Sequence, residues 1–311
     1  MIISASRRTD IPALYSEWFF QRIKEKHVLV RNPVSYHQIS RVSLLPDIVD
    51  CIVFWTKNPK PMLDRLDLLK DYDFYFQFAL NPYANEIECS LPPKSLEIID
   101  TFKALSDMIG PERVVWRYSP LLLSDKYTME YHVEYFEKIA IRLCRYTKQC
   151  MLSFLDMYPK IKDRMEQRHI AVPTEGEKRY AAAHFSEIAK QNDIEVESCS
   201  EFLDLTDEGV LPGKCIDDRL IGRITGEQYN LKKDKNQRPQ CGCVPSIDIG
   251  AYNTCTNGCL YCYANRDRKK AQENHIKHHP ASPLLCSALG KEDKISERKT
   301  DSLKVTQLKL F

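Results

Sequence analysis

Cys51-Ile52-Val53-Phe54-Trp55-Thr56-Lys57-Asn58 sets a β-forming run of apolar and aromatic side chains directly against a polar step. The same kind of unit recurs along the chain. Comparable runs are Ile2-Ile3, Val28-Leu29-Val30, Phe74-Tyr75-Phe76-Gln77-Phe78, Arg113-Val114-Val115-Trp116, Met151-Leu152-Ser153-Phe154, Ile194-Glu195-Val196 and Ile247-Asp248-Ile249. Helices are predicted between many of them, at about Pro92 to Ile109, Thr128 to Lys148 and Pro173 to Gln191. The last opens on a Thr174/Glu177 capping box. Strands that alternate with helices pair in parallel through right-handed crossovers, and this many strands predicts an α/β chain folded as a (β/α) TIM-like barrel or partial barrel. The connector from Phe202 to Gln240 is too irregular for a crossover and is expected to wrap an added element.

In such a barrel, chemistry sits where strands end. The residues just past the runs are Arg7-Arg8-Thr9-Asp10, Lys57-Asn58, Asn81, Arg117, Asp156 and Glu201. Singly each reads as a cap or a surface ion pair; together they predict a pocket for a zwitterionic or anionic ligand. With 43% hydrophobic and 28% charged residues the chain is neither disordered nor a coiled coil. Its apolar runs fall far short of the ~20 residues that cross a bilayer. Residues 1–8 lack a basic segment ahead of an apolar core, so a soluble, cytoplasmic protein is expected. A net charge of +2 argues against a polyanion binder as a whole, although residues 264–311 hold 11 Lys/Arg against 6 Asp/Glu. No G-x-G-x-x-G or G-x-x-x-x-G-K-[ST] occurs, which argues against nucleotide binding by a Gly-rich loop. Trp18, Trp55 and Trp116 read as core, and His275, His278 and His279 as a solvated helix end.

Twelve cysteines are many for such a protein, and seven of them fall between Cys199 and Cys262. Cys255, Cys259 and Cys262 follow the Ile247 strand in C-x3-C-x2-C spacing. Three thiolates on one loop can hold three irons of a 4Fe-4S cubane and leave the fourth open; a structural zinc site is closed by four protein ligands. A zinc knuckle completed by a nearby histidine is the competing reading.

Gly258-Cys259-Leu260-Tyr261-Cys262-Tyr263-Ala264 resembles the radical S-adenosylmethionine superfamily, its spore photoproduct lyase branch in particular. The whole chain, with its Ser6-Arg7-Arg8-Thr9-Asp10 opening and Cys241-Gly242-Cys243, also resembles an uncharacterised bacterial family, domain of unknown function 1848. The superfamily resemblance implies a catalytic 4Fe-4S cluster on Cys255, Cys259 and Cys262. It further implies S-adenosylmethionine bound at the open iron, a 5′-deoxyadenosyl radical, a flavodoxin- or ferredoxin-type one-electron reductant, and Tyr261 along the adenine. The superfamily's loop follows the first barrel strand and here it follows the last, so a circularly permuted barrel is expected. The usual Gly-Gly-Glu that receives the cofactor's amino group is absent. Ser4, Ser6, Arg7 and Asp10 occupy the matching rim, and Ser6, Arg7, Arg8 and Asp10 are the expected cofactor-binding residues. The substrate is not legible, with nucleic-acid repair or modification favoured over a small polar metabolite. The alternative is a nonenzymatic, zinc-stabilised nucleic-acid-binding or adaptor protein.

Cys199, Cys215, Cys241 and Cys243 can hold an auxiliary 4Fe-4S cluster or zinc, or remain core thiols. The predicted organisation is a barrel over 1–263, with a Cys-rich insertion at 199–243 and a cluster loop at 250–263. A post-cluster helix from Ala264 to about His278 and a connector follow to 290, then a charged tail over 291–311. That tail is expected to act as a tether. Its end, Gln307, Leu308, Lys309, Leu310 and Phe311, resembles tails that bind the DNA sliding clamp; docking on its own barrel is the other reading.

Overall fold

The computed structural model describes residues 1–305. The strands in chain order are β1 (Ile2–Ala5), β2 (His27–Arg31), β3 (Gln38–Ser43), β4 (Cys51–Thr56), β5 (Phe74–Ala79), β6 (Val114–Leu121), β7 (Gln149–Phe154), β8 (Glu195–Cys199), β9 (Leu211–Gly213), β10 (Ile247–Asp248) and β11 (Lys294–Glu297). Eight of them make one sheet in the order β10-β1-β4-β5-β6-β7-β8-β9. Every neighbouring pair is parallel. The last parallel strand therefore lies beside the first, with Ile3 opposite Ile247 and Ser4 opposite Asp248. No ladder joins β9 to β10 among the described residues, so the sheet stays open there, an α/β arrangement compatible with a partial barrel.

Alternation along each strand sends successive side chains to opposite faces. Ile3, Ile52, Phe54, Phe76, Trp116 and Leu152 take one face, under helices at Ser16–Glu25, Ile99–Ile109, Met129–Leu143 and Glu175–Gln191. Phe136 bridges two layers there, stacked on Trp116 at 4.7 Å and on Phe185 at 3.9 Å between ring centroids. The helices start where their caps place them: Thr128 accepts from Tyr131 N–H at 3.2 Å, and the Thr174/Glu177 box is formed. The Pro92-Pro93 pair delays the regular helix until Ile99, behind a wider turn over Lys94–Ile98.

The other face carries Ile2, Val53, Tyr75, Val115 and Met151, and here the irregular connector packs inward rather than merely wrapping. Cys215, Ile216, Leu220, Ile221 and Val244 bury themselves against these strand residues. Tyr75 Oη and Gln77 Nε2 both donate to the Cys215 carbonyl, at 2.7 and 3.0 Å, so the connector's polar backbone is satisfied inside the sheet. The connector also supplies β9 and the helix Asp218–Thr225.

Three expectations are corrected. The Val28 run is not in the large sheet: β2 pairs antiparallel with β3 in a three-stranded sheet, β11-β3-β2. Only a short turn separates the two strands, closed by Asn32 Oδ1 accepting from Val34 and Ser35 N–H, and a parallel pair would need a long crossover. The charged segment after 291 is not a simple tether, since β11 pairs with β3 and Asp50 accepts from Ser302 Oγ and Leu303 N–H. The helix predicted from Ala264 is shorter, Arg268–Ile276, started by Asp267 accepting from Lys270 N–H. The clamp-like Gln307, Leu308, Leu310 and Phe311 lie outside the described residues. No helix among the described residues is long and apolar enough to cross a membrane.

Candidate functional site

The C-terminal ends of β1 and β10 meet on one carboxylate. Asp248 accepts from Ser4 Oγ at 3.1 Å, Ser6 Oγ at 2.7 Å, Arg7 N–H at 2.8 Å and Gly250 N–H at 3.0 Å, with Arg8 Nε 3.8 Å away. Gly250 is required by this closeness, because a Cβ there would stand 2.2 Å from Ser6 Oγ and 2.6 Å from Ser6 Cβ. Gly250→Ala is expected to lose about 1–3 kcal/mol through overpacking, read as a lower Tm; an unchanged Tm would show slack between the strands.

The rim residues divide by role. Ser6 Oγ also accepts from Arg8 N–H at 2.9 Å. Asp10 is buried and accepts from Ala13 N–H, Lys57 N–H and Asn257 Nδ2 at 3.0, 2.8 and 3.0 Å, bracketing the β1 and β4 loops to the cysteine loop. Burial pushes its carboxyl up against those hydrogen bonds. Ser6 and Asp10 thus tie neighbouring loops together. Arg8 stays at the mouth, 5.0 Å from the Tyr252 ring. Arg7 lies 5.2 Å from the Trp55 ring, which also has Arg117 at 5.0 Å. Trp55 is therefore half-buried in a cationic setting rather than a simple core residue like Trp18 and Trp116.

The cysteine loop is fastened to residues 87–90 after β5. Glu88 bridges to Cys259, Leu260 N–H donates to the Ile87 carbonyl at 2.9 Å, and Ser90 N–H donates to the Asn257 carbonyl at 3.1 Å. Gly258 turns the loop at φ +69°, against Cys89. Asn265 Nδ2 donates to the Cys255 carbonyl at 2.6 Å, and Arg164 Nη2 to that of Cys262 at 2.5 Å. Burial pushes the Cys255 thiol up to about 12 and Cys259 well above the usual thiol range. Both also feel the charge of neighbouring loop cysteines, while Lys57 opposes the rise at Cys259.

Glu88, unmarked in the sequence, organises this corner. It is 1% exposed, accepts from Lys57 Nζ at 2.7 Å, Asn81 Nδ2 at 3.2 Å and Tyr261 Oη, and pairs with Lys94. Burial pushes its carboxyl up, but Lys57 and Lys94 outweigh that and hold it at about 2. The two lysines differ: burial lowers Lys94, whereas for Lys57 Glu88 and Cys259 win over burial. Tyr261 is pinned through its hydroxyl and lies beneath Lys57, 5.5 Å from its ring centroid.

The four remaining clustered cysteines come together from three stretches. Cys199 and Cys215 Sγ lie 2.7 Å apart, Arg117 Nη1 is 2.8 Å from Cys215 Sγ, and Ile216 N–H donates to Cys243 Sγ at 3.4 Å. Hydrogen bonds from Cys215 and Cys241 draw the Cys243 thiol down, helped by Arg7. Burial works against the Arg117 charge, yet Cys215 and Cys199 raise it overall. The Cys199 and Cys215 thiols touch directly, and among the described residues no group of three or more Cys, His, Asp or Glu side chains is arranged to hold a metal ion.

Beside the cysteine loop opens a cavity of about 360 Å³ lined by Lys160, Tyr252, Asn253, Ala264 and Arg266. His275 and His278 are not a solvated face: both pack on buried Tyr15, with His275 Nδ1 2.9 Å from Tyr15 Oη. No curated protein matches the chain. The β1 rim, the interior connector and the strand leading into the cysteine loop all fall within residues 2–264, which match one family model, and the chain belongs to that family, domain of unknown function 1848.

Proposed function

We propose that the protein is a radical S-adenosylmethionine enzyme in which Cys255, Cys259 and Cys262 ligate a 4Fe-4S cluster. The observation that carries the reading is the placement of these three thiols, on one pinned loop past the C-terminal end of a parallel strand. The donor set fits the group: three cysteines leave one iron open, and Lys57 beside Cys259 offers a counter-charge to an anionic cluster. When bound, such a cluster supplies one-electron cleavage of S-adenosylmethionine to a 5′-deoxyadenosyl radical. The chain's own residues position and shield. Tyr261, held by Glu88 and Asn81, presents a fixed ring on the loop between Cys259 and Cys262. Arg8 remains at the mouth for the cofactor carboxylate. The adjacency of β10 and β1 supports a permuted barrel, in which the chain is cut at a different point but neighbours are kept.

The test is anaerobic reconstitution. A brown protein with about four irons and matching sulfide, yielding 5′-deoxyadenosine on reduction with the cofactor, supports the reading. A colourless protein that takes up neither iron nor sulfide would overturn it. Cys89→Ser is expected to leave iron content unchanged, because Cys89 meets the loop at Gly258 and is not counted among the three ligands.

The cavity beside the loop favours nucleic acid as substrate. Lys160 and Arg266 line it together with Tyr252, whose ring has Arg8 at 5.0 Å and Lys160 at 6.0 Å, a pairing of cations with a stacking surface. Lys160→Ala with Arg266→Ala is expected to weaken single-stranded oligonucleotide binding and to reduce its salt slope by about 1–2. Binding by the intact protein that ignores salt would contradict this substrate class.

A further inference from the structure

We infer that Cys199, Cys215, Cys241 and Cys243 form a closed tetrahedral site for one zinc ion, with Arg7 and Arg117 balancing its charge. This does not rest on the catalytic reading, since the two groups use different thiols. Cys199 and Cys215 Sγ are 2.7 Å apart, longer than the ~2.05 Å of a disulfide and shorter than the ~3.8 Å edge of a tetrahedron with ~2.3 Å Zn–S bonds. Metal binding would have to spread this pair by about one ångström to reach that edge, with Cys241 and Cys243 closing the set from the segment that packs on the same face. A cubane interposes four irons between its thiolates and would force the sulfurs much farther apart, against an interior already filled by Ile216, Leu220 and Val244.

Charge supports the same assignment. On binding, Zn²⁺ displaces the thiol protons to solvent; four thiolates and one dication leave a net −2, and two guanidinium groups face it. Arg117 already reaches Cys215 Sγ at 2.8 Å. Arg7 Nη2 and Trp55 Nε1 are buried donors with no hydrogen-bond partner among the described residues, and the two side chains are in contact. Metal-bound thiolate accepts such bonds better than neutral thiol does. The site would lock the connector to the inner face of the sheet through β8, the Cys215 turn and the Cys241-Gly242-Cys243 segment.

The full chain carrying Cys255→Ala, Cys259→Ala and Cys262→Ala together isolates the site. It should hold about one zinc, lose it on acidification, and take cobalt(II) in its place with the intense absorption of a tetrahedral tetrathiolate. Adding Cys215→Ser should remove the metal. Arg117→Gln should leave it bound but release it to a chelator on the order of tenfold more readily. Where a cysteine variant fails to fold, zinc content and the cobalt spectrum of the unaltered chain decide. Four irons with sulfide retained in the triple variant, or no metal and no cobalt spectrum in either protein, would overturn the assignment.

Discussion

Replacing Cys255, Cys259 and Cys262 together by alanine is expected to bring 5′-deoxyadenosine formation to background, with a native-like circular dichroism spectrum. The three side chains belong to none of the buried clusters that join the sheet to its helices, so their loss removes ligands rather than core. The loop stays fastened by backbone contacts of Ile87, Ser90, Asn257 and Leu260, which do not involve the thiols. Undiminished cofactor cleavage by an anaerobically reduced triple variant would remove the catalytic assignment. Loss of the fold would mean that the loop is part of the structural core.

Glu88→Ala carries the largest expected stability cost. It strands Lys57 and Lys94 against a buried corner with no carboxylate, and breaking a buried pair in this way costs about 3–5 kcal/mol. Because Glu88 is held at about 2, below the ~4.3 of an unfolded glutamate, its contribution is complete above that unfolded value. It is lost as pH falls from about 4.3 toward about 2. Glu88→Gln keeps the shape but not the charge, so it should be less stable than wild type at pH 7 and should lose less on acidification. Urea unfolding at pH 7 and pH 3 measures both; equal stability of the two proteins at pH 7 would show that the lysines find other partners.

The parts of the fold that were legible are those whose apolar runs are long. β4, β5, β6 and β7 sit close to where Cys51, Phe74, Arg113 and Met151 begin their runs, since strands buried on both faces need near-continuous apolar sequence. β3 has only Ile39 and Val42 to mark it, β11 is exposed throughout, and β9 is Leu-Pro-Gly, a sequence that ordinarily breaks strands and is tolerated only at a sheet edge. The cysteine loop was legible because spacing along one loop survives folding. Glu88 was not: a solitary glutamate between Ile87 and Cys89 has no periodicity, and its role exists only once the β5 loop and the cysteine loop close on each other. The inward turn of Arg7 and Arg117 was hidden for the same reason. The place of Arg7 just past a strand was readable, whereas Arg117 lies within β6 rather than past its end, and the thiols both meet arrive from a connector whose path carries no pattern.

The partnership of Ile3 with Ile247 also has a meaning in time. As the chain leaves the ribosome, β1 can dock on β4 as soon as residue 56 is made, but its second edge has no partner until Asp248 emerges. The face bearing Ile2, Val53 and Tyr75 is likewise bare until Cys215 to Val244 arrive to cover it. At ~5–20 residues per second this interval lasts on the order of ten to forty seconds, during which the nascent chain offers both an open strand edge and an uncovered apolar surface. Strand pairing of such long range is slow to form, so this edge and this face are where the nascent chain is most open to mispairing during synthesis.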